Sequence, residues 1–325
     1  MSEPASLPSI PKTFGAILIG AFFATAIWGM GSLQGIYYIK NYVRDARGIK
    51  LLAAVIWVLD SLHTAVIWSA IWTYLIHNYG ELEKVDVLPW GIPLSTLSTT
   101  FITVLVDSFH AYRIFMLSRG SMLMTAPIGF LLFARLALGT TTAARMFQIP
   151  HLSVLKAKEA WLLTVALATS ATLDIVTAAV LVHLLLKQRS MGSRFNHVVE
   201  KLIIYGLETG SITALASIAS MLCWITMPTN FIFLGIYFLP AKLYANSFFT
   251  TLNMRNSILS GLATTIQVAE ATPVLFMEPR RRTADPMPFR VEAIPKVTPR
   301  DIQINVETEQ TIHYEDSLED KSGKD

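Results

Sequence analysis

The sequence predicts an all-α membrane protein: a seven-transmembrane-helix bundle with its N-terminus outside, its C-terminus cytoplasmic and a disordered polar C-terminal tail. Three observations carry this. Seven apolar runs, each about as long as a helix that crosses a bilayer, follow one another along the chain. Hydrophobic residues make up 53% of the 325 residues and charged ones only 15%, whereas a soluble domain carries roughly 25%. Lys and Arg collect in alternate loops, as the cytoplasmic loops of a membrane protein do.

The short segment 1–13 precedes the first run and has no basic stretch of the signal-peptide kind, so the run after it is expected to stay in the mature protein. The first span, about 14–39, contains Gly31-Ser-Leu-Gln-Gly35, a spacing that lets another helix approach closely. The second, about 51–76, carries Asp60 and His63. The third, about 89–116, carries Asp107, His110 and Arg113, and Gly120-Ser121 suits the turn after it. The fourth, about 122–147, carries Arg135. A loop over 148–159 leads to the fifth, about 160–186, with Asp174 and His183. The sixth, about 202–227, carries Glu208. The seventh, about 231–252, holds Lys242 near its middle and Pro240 as a possible kink, because proline removes a backbone hydrogen bond.

The membrane domain thus covers 14–255 and the tail 256–325. The tail is rich in Pro, Thr, Glu and Asp and offers little to bury, so disorder is expected there. Within it, 257–268 reads as a short amphipathic helix on the membrane surface. The loops after spans one, three and five hold four, one and four Lys or Arg residues, and Arg280-Arg281-Arg282 follows span seven. The N-terminus and the remaining loops hold one, one, two and none. Residues 1–252 carry a net charge of about +6 and residues 253–325 about −3, summing to the chain's +3. This mild, scattered excess gives no footprint for nucleic acid and fits basic loops beside an anionic leaflet. The single cysteine, Cys223, excludes an internal disulfide.

Ionisable groups inside spans are costly and face the bundle interior or a cavity. Counted from the cytoplasmic ends, Asp60, Asp107, Lys242, Arg135, Asp174 and Glu208 fall within roughly 10 Å of one another in depth. They therefore form one charged layer. Asp60, His63, Asp107, His110 and Lys242 are the candidates for ligand or ion binding. Arg135 and Lys242 are expected to form buried ion pairs, with Asp174 and Glu208 as their partners. Asp60 and Asp107 are then left to face a cavity as proton or cation acceptors.

Asp60-x-x-His63 and Asp107-x-x-His110 each place both side chains on one helix face. A divalent metal between them is a weak alternative; the competing reading is that each Asp orients its own His or pairs with Arg135 or Lys242, and no metal is expected, because no third His-rich segment closes such a site. Lysine midway along a seventh helix suggests a retinal Schiff base, but Phe238 stands where microbial rhodopsins place the counter-ion, and no cofactor is expected. Trp72, Trp90 and Trp161 read as interfacial belt residues. Trp57, one turn before Asp60, belongs to the core or to the wall of the same cavity.

The sequence resembles a fungal family of seven-helix membrane proteins known mainly from mushroom-forming species, the domain of unknown function 6534. The resemblance rests on FGAILIG, WVLDSLHTA, HNYG, RIFMLSRG, KLIIYGLETGSITALASIASM and, most specifically, NFIFLGIYFLPAKLYANSFFTTLNMR, in that order. It implies seven helices and a membrane location, and it supplies no activity. It also implies that Asp60, His63, Glu208, Lys242, Asn246 and Asn253 lie in family-typical segments.

Three functions compete. A seven-helix receptor or sensor comes first, with a cytosolic protein partner at the basic inner loops and tail. Its motifs are nevertheless absent: span three ends His110-Ala-Tyr-Arg113 rather than Asp/Glu-Arg-Tyr, and span seven has no Asn-Pro-x-x-Tyr. A proton, ion or small-solute transporter or channel using the charged layer is the alternative. A membrane-embedded lipid enzyme comes last, since no catalytic signature is present and the last span has no histidine. The expected reading is a non-enzyme in the lipid bilayer, by default that of the plasma membrane. Oligomeric state is not legible in the chain.

Overall fold

The computed structural model describes residues 11–43, 45–189, 196–227 and 230–265; side chains are described there except at 11–12, 82–83, 188–189, 196–209 and 255–265. The tail beyond 265 and the first ten residues lie outside the described residues, and with them the expected disorder of the tail.

The described chain is helical, with a single isolated β-bridge between Val87 and His151. The long helices are α1 (Ala16–Asn41), α2 (Arg47–Trp72), α3 (Gly91–Leu117), α4 (Met122–Gln148), α5 (Leu152–Arg189) and α6 (Asn196–Thr226). A short α7 (Ile232–Tyr237) and a long α8 (Leu239–Thr265) complete them. Six helical segments among the described residues are long and apolar enough to cross a membrane: Thr13–Asn41, Arg47–His77, Gly91–Leu117, Met122–Gln148, Leu152–Lys187 and Ile232–Met254. The described apolar part of α6, Gly210–Thr226, is shorter. Large apolar side chains such as Ile19, Phe23, Leu33, Leu123, Phe130 and Phe133 point outward, as they must if hydrocarbon surrounds the bundle.

Neighbouring helices pack in chain order, and α8 closes the ring against α1. Two elements lie innermost. In α3 and in the α7–α8 segment 67% of the most apolar stretch is buried, against 11% in α4. The chain's polar spans are thus its central ones, and its most lipid-facing helix is apolar.

Close approaches fix this arrangement. A Cβ on Gly20 would fall 2.6 Å from the Cα of Gly235, so α1 and α7 touch backbone to backbone. Gly31 and Gly35 face Asn246 and Phe249 of α8. Amides then clamp the same two helices. Asn246 Nδ2 donates to the Ile27 carbonyl at 2.9 Å, and Asn253 Nδ2 to that of Gln34 at 2.9 Å. Tyr42 returns a hydroxyl to the Asn253 carbonyl at 2.7 Å.

Several expectations shift. The loop over 148–159 is already helical from Leu152, with a kink at Glu159 (φ −128°, ψ 19°). The cause lies in the acidic loop before α3. Asp86 accepts hydrogen bonds from the Ser153 N–H at 2.7 Å and its hydroxyl at 2.6 Å, an N-terminal cap supplied from another loop. The seventh span is divided at Phe238, two residues before Pro240, and α8 then continues through 257–265 without a break. The surface helix expected from 257 is therefore the same helix as far as the described residues reach. After α3, Arg119 and Gly120 adopt left-handed φ of 57° and 84°, and the Gly120 N–H closes the turn on the Phe115 carbonyl at 2.9 Å. Trp72, Trp90 and Trp161 are exposed on the outside of the bundle. Trp57 corrects its expectation: it is 43% exposed, and its indole donates to Ser32 of α1 at 3.1 Å, so it lines an outer groove rather than an inner cavity.

Candidate functional site

The charged layer resolves into two clusters, one on each side of α8. Lys242 and Tyr244 are two residues apart, which turns them about 200° around the helix axis. Lys242 faces α2, and Tyr244 faces α4 and α5.

In the first cluster Lys242 is fully buried. An ammonium has three protons to donate, and all three find oxygen. Nζ lies 2.6 Å from Asp60 Oδ1, 2.7 Å from the Asp60 carbonyl and 2.7 Å from Thr64 Oγ1. Thr64 passes its own proton to the Asp60 carbonyl at 2.9 Å. The pair is neutral and saturated. Asp60 is thus not a free acceptor, as the sequence suggested, but the counter-ion of Lys242. The side chain of Glu208, the partner expected from the sequence, lies outside the described residues.

In the second cluster one cation meets two acids. Arg135 Nη1 lies 2.6 Å from Asp107 Oδ2 and 3.4 Å from Asp174 Oδ1, and it donates to the Tyr244 hydroxyl at 2.7 Å. Tyr244 in turn donates to Asp174 Oδ1. The guanidinium also stacks over the Tyr244 ring, with Cζ 4.8 Å from the centroid. Side chains from α3, α4, α5 and α8 meet here. The formal charge is −1 with both carboxylates ionised and zero with one proton added. Asp107 is therefore engaged by Arg135, and it also lines a cavity, as expected of it.

The two Asp-x-x-His pairs do not converge. His63 is fully buried, and its Nε2 sits 3.2 Å from Thr99 Oγ1 of α3 while Asp60 turns to α8. His110 packs edge-on against Phe109, and its Nδ1 has no hydrogen-bond partner among the described residues. No three His, Cys, Asp or Glu side chains gather there in a way that could hold a metal. The physical reason is that each acid is drawn to a cation on another helix.

Two small cavities border the second cluster, one extending toward each end of the bundle. One of about 50 Å³ is lined by Asp107, Asp174 and Tyr244 at its inner end. It runs past His110, Arg113 and Thr177 toward the C-terminal ends of α3, α5 and α8. The other, of about 30 Å³, has Arg135 on its wall. It runs past Thr103, Thr100, Thr96 and Tyr237 toward the N-terminal ends of α3 and α5 and the α7–α8 break at Pro240. At ~10–15 Å³ per water these volumes admit about three to five waters and about two or three. No cavity described here borders Lys242.

Tyr244 and Thr64 did not stand out in the sequence. A tyrosine two residues after a mid-span lysine is the one signal that points to the first. Nothing marks Thr64 among the many hydroxyls of the spans.

The model of a family of unknown function (DUF6534) matches residues 170–257, from the middle of α5 into α8. That stretch contains Asp174, Lys242 and Tyr244. No curated protein and no solved structure matches the chain.

Proposed function

We propose that the chain crosses the membrane seven times, with α6 as the sixth crossing and α7–α8 as the seventh. The loops after α1, α3 and α5 then face the cytoplasm, and the N-terminus lies outside. We further propose that it moves protons, or a small cation that exchanges for them, through the Arg135 cluster.

One observation supports this above all others. Among the described residues, the cluster with an acid in excess is also flanked by two small cavities, one extending toward each end of the bundle. A water-sized cavity on either side of a carboxylate pair brings a proton to Asp107 or Asp174 from one face and releases it toward the other. Arg135 is the intrinsic cation that such a proton displaces. With one acid protonated, the guanidinium keeps a single partner and can shift between the two. The cavity sizes favour protons over an organic ligand. A transported cation would have to shed most of its water.

The test is proton flux into sealed liposomes carrying a pH-sensitive dye, under an imposed pH gradient. Wild type is expected to conduct. Asp107→Asn and Asp174→Asn should each slow flux by at least about tenfold, equivalent to about 1.4 kcal/mol on the barrier. A folded, inserted wild type that leaks no faster than empty liposomes would overturn the proposal.

The receptor or sensor reading is second, favoured by the basic loops after spans one, three and five, which suit a cytosolic protein partner. A silent wild type would move it to first place. Neither reading makes the protein an enzyme, and both place it by default in the plasma membrane.

A further inference from the structure

Arg113 is a buried arginine with no ion-pair partner among the described residues. It is 7% exposed, yet it makes no ion pair and no hydrogen bond among the described residues. Its Nε is sealed from solvent and unpartnered, and the nearest stabilising group is the Phe109 ring, 5.9 Å from Cζ. The carboxylates that share its cavity, Asp107 and Asp174, are both engaged by Arg135. A charge removed from water without compensation costs several kcal/mol. A guanidinium cannot escape that cost by losing its proton, so a fold that keeps it has something else to set against it.

The same cavity collects two further groups in the same condition. His110 Nδ1 and Thr177 Oγ1 are buried without a hydrogen-bond partner, and both residues line the cavity with Arg113. Arg113 and His110 are three residues apart on α3 and share a face. Thr177 approaches from α5. A guanidinium, an imidazole that can present an N–H, and a hydroxyl therefore converge on one space. All three can donate to the same acceptor.

We propose that this cavity is a binding site for a small oxyanion of the phosphate class. Arginine is the side chain whose planar fork matches such an anion through two parallel hydrogen bonds. An apolar ligand would leave every one of the three donors unpaired. Asp107 and Asp174 close the inner end, so the anion sits toward the outer end. That is where the C-terminal ends of α3, α5 and α8 and the basic loops gather, and their field draws anions in. The anion is either free in solution or carried as a lipid headgroup.

The site rests on Arg113 and not on the Arg135 cluster. Anion binding without proton flux would retain it and reject only the function proposed above; flux without anion binding would do the reverse.

The experiment is thermal unfolding of the full chain in a neutral detergent at constant ionic strength set by chloride. Inorganic phosphate is titrated in one arm and short-chain phosphatidic acid in the other. A ligand that binds only the folded state raises the Tm with the logarithm of its concentration once the site fills. Wild type should respond to at least one probe; a response to phosphatidic acid alone assigns the site to a headgroup. Arg113→Gln should begin at a higher Tm than wild type without anion and lose the response, because the uncompensated charge is gone. Arg113→Lys should keep a response at least ~10-fold weaker, since an ammonium lacks the fork. Thr177→Val, which only swaps a hydroxyl for a methyl, should also weaken it and serves if Arg113→Gln does not fold.

Three results would overturn the site. One is a wild type indifferent to both probes. Another is a response that survives in Arg113→Gln and Thr177→Val. The last is a matched, non-additive loss of stability in Arg113→Gln and Glu208→Gln, which would make Glu208 the missing counter-ion.

Discussion

The Asp60–Lys242 pair and the Arg135 cluster lie on opposite faces of α8 and are built from the same kinds of group. They differ in stoichiometry and in surroundings. Lys242 has one carboxylate, spends all three protons on oxygen and borders no cavity described here. Arg135 has two carboxylates and a phenol, and water-sized space on either side. A saturated neutral pair has one low-energy arrangement and acts as a rivet between α2 and α8. A cluster with one acid too many has at least two, distinguished by where the proton and the guanidinium sit. Buried charge is therefore not itself a sign of function: the Asp60–Lys242 pair is saturated, while the Arg135 cluster has an acid in excess beside space.

Breaking the rivet should have the largest effect on stability. Lys242→Met leaves Asp60 buried without a counter-ion and is expected to cost about 3–5 kcal/mol. Unfolding in detergent would read it. Adding Asp60→Leu to that variant should restore most of the loss, because a well-packed apolar pair can replace a buried ion pair. If the double variant is as unstable as the single one, the pair is not the rivet described here.

Asp107→Asn tests the other side of the comparison. Asp174 remains to neutralise Arg135, so the stability loss should be smaller, about 1–3 kcal/mol for the weakened hydrogen bond. Its larger effect should fall on proton flux. A variant that loses stability like Lys242→Met and conducts normally would make the second cluster a rivet as well.

Tyr244→Phe removes the hydroxyl that links Arg135 to Asp174 while keeping the ring under the guanidinium. A cost of about 1 kcal/mol is expected, with flux altered but present. Complete loss of flux would place Tyr244 on the path itself. The smallest effect belongs to Trp57→Phe. Its side chain faces outward, so stability should move by no more than about 0.5 kcal/mol and flux not at all.

Much of the fold can be read from hydropathy. Apolar length gives the spans, and the Gly31/Gly35 spacing marks a face that α8 does occupy. Depth is readable too, because counting along a helix gives height, and Asp60, Lys242, Arg135, Asp107 and Asp174 do meet in the two clusters beside α8, while the side chain of Glu208 lies outside the described residues. Azimuth is not readable. Which acid meets Lys242 depends on how α2 and α8 are rotated about their axes, and no single span records that. Lys242 meets Asp60, while the side chain of Glu208, the other acid expected beside it, lies outside the described residues. The capping of α5 by Asp86 was hidden similarly, since it joins loops 67 residues apart. That an acid such as Asp107 would face a cavity was readable, but the size and walls of the cavities were not: they are places where packing stops, and hydropathy averages over packing.

The hydroxyls of the second cavity carry one more consequence. Thr96, Thr100, Thr103, Thr142 and Ser170 all line it, and each donates its proton to a carbonyl of its own helix, at 2.7 to 3.1 Å. Their donors are spent, and what they turn to the cavity is oxygen lone pairs. This wall has no carboxylate, yet those five hydroxyls solvate only species that bring hydrogen or positive charge. The groups left to donate there are the hydroxyls of Thr99, Ser217 and Tyr237 and the guanidinium of Arg135, so an anion is held at those points and a hydronium ion along the row of spent hydroxyls.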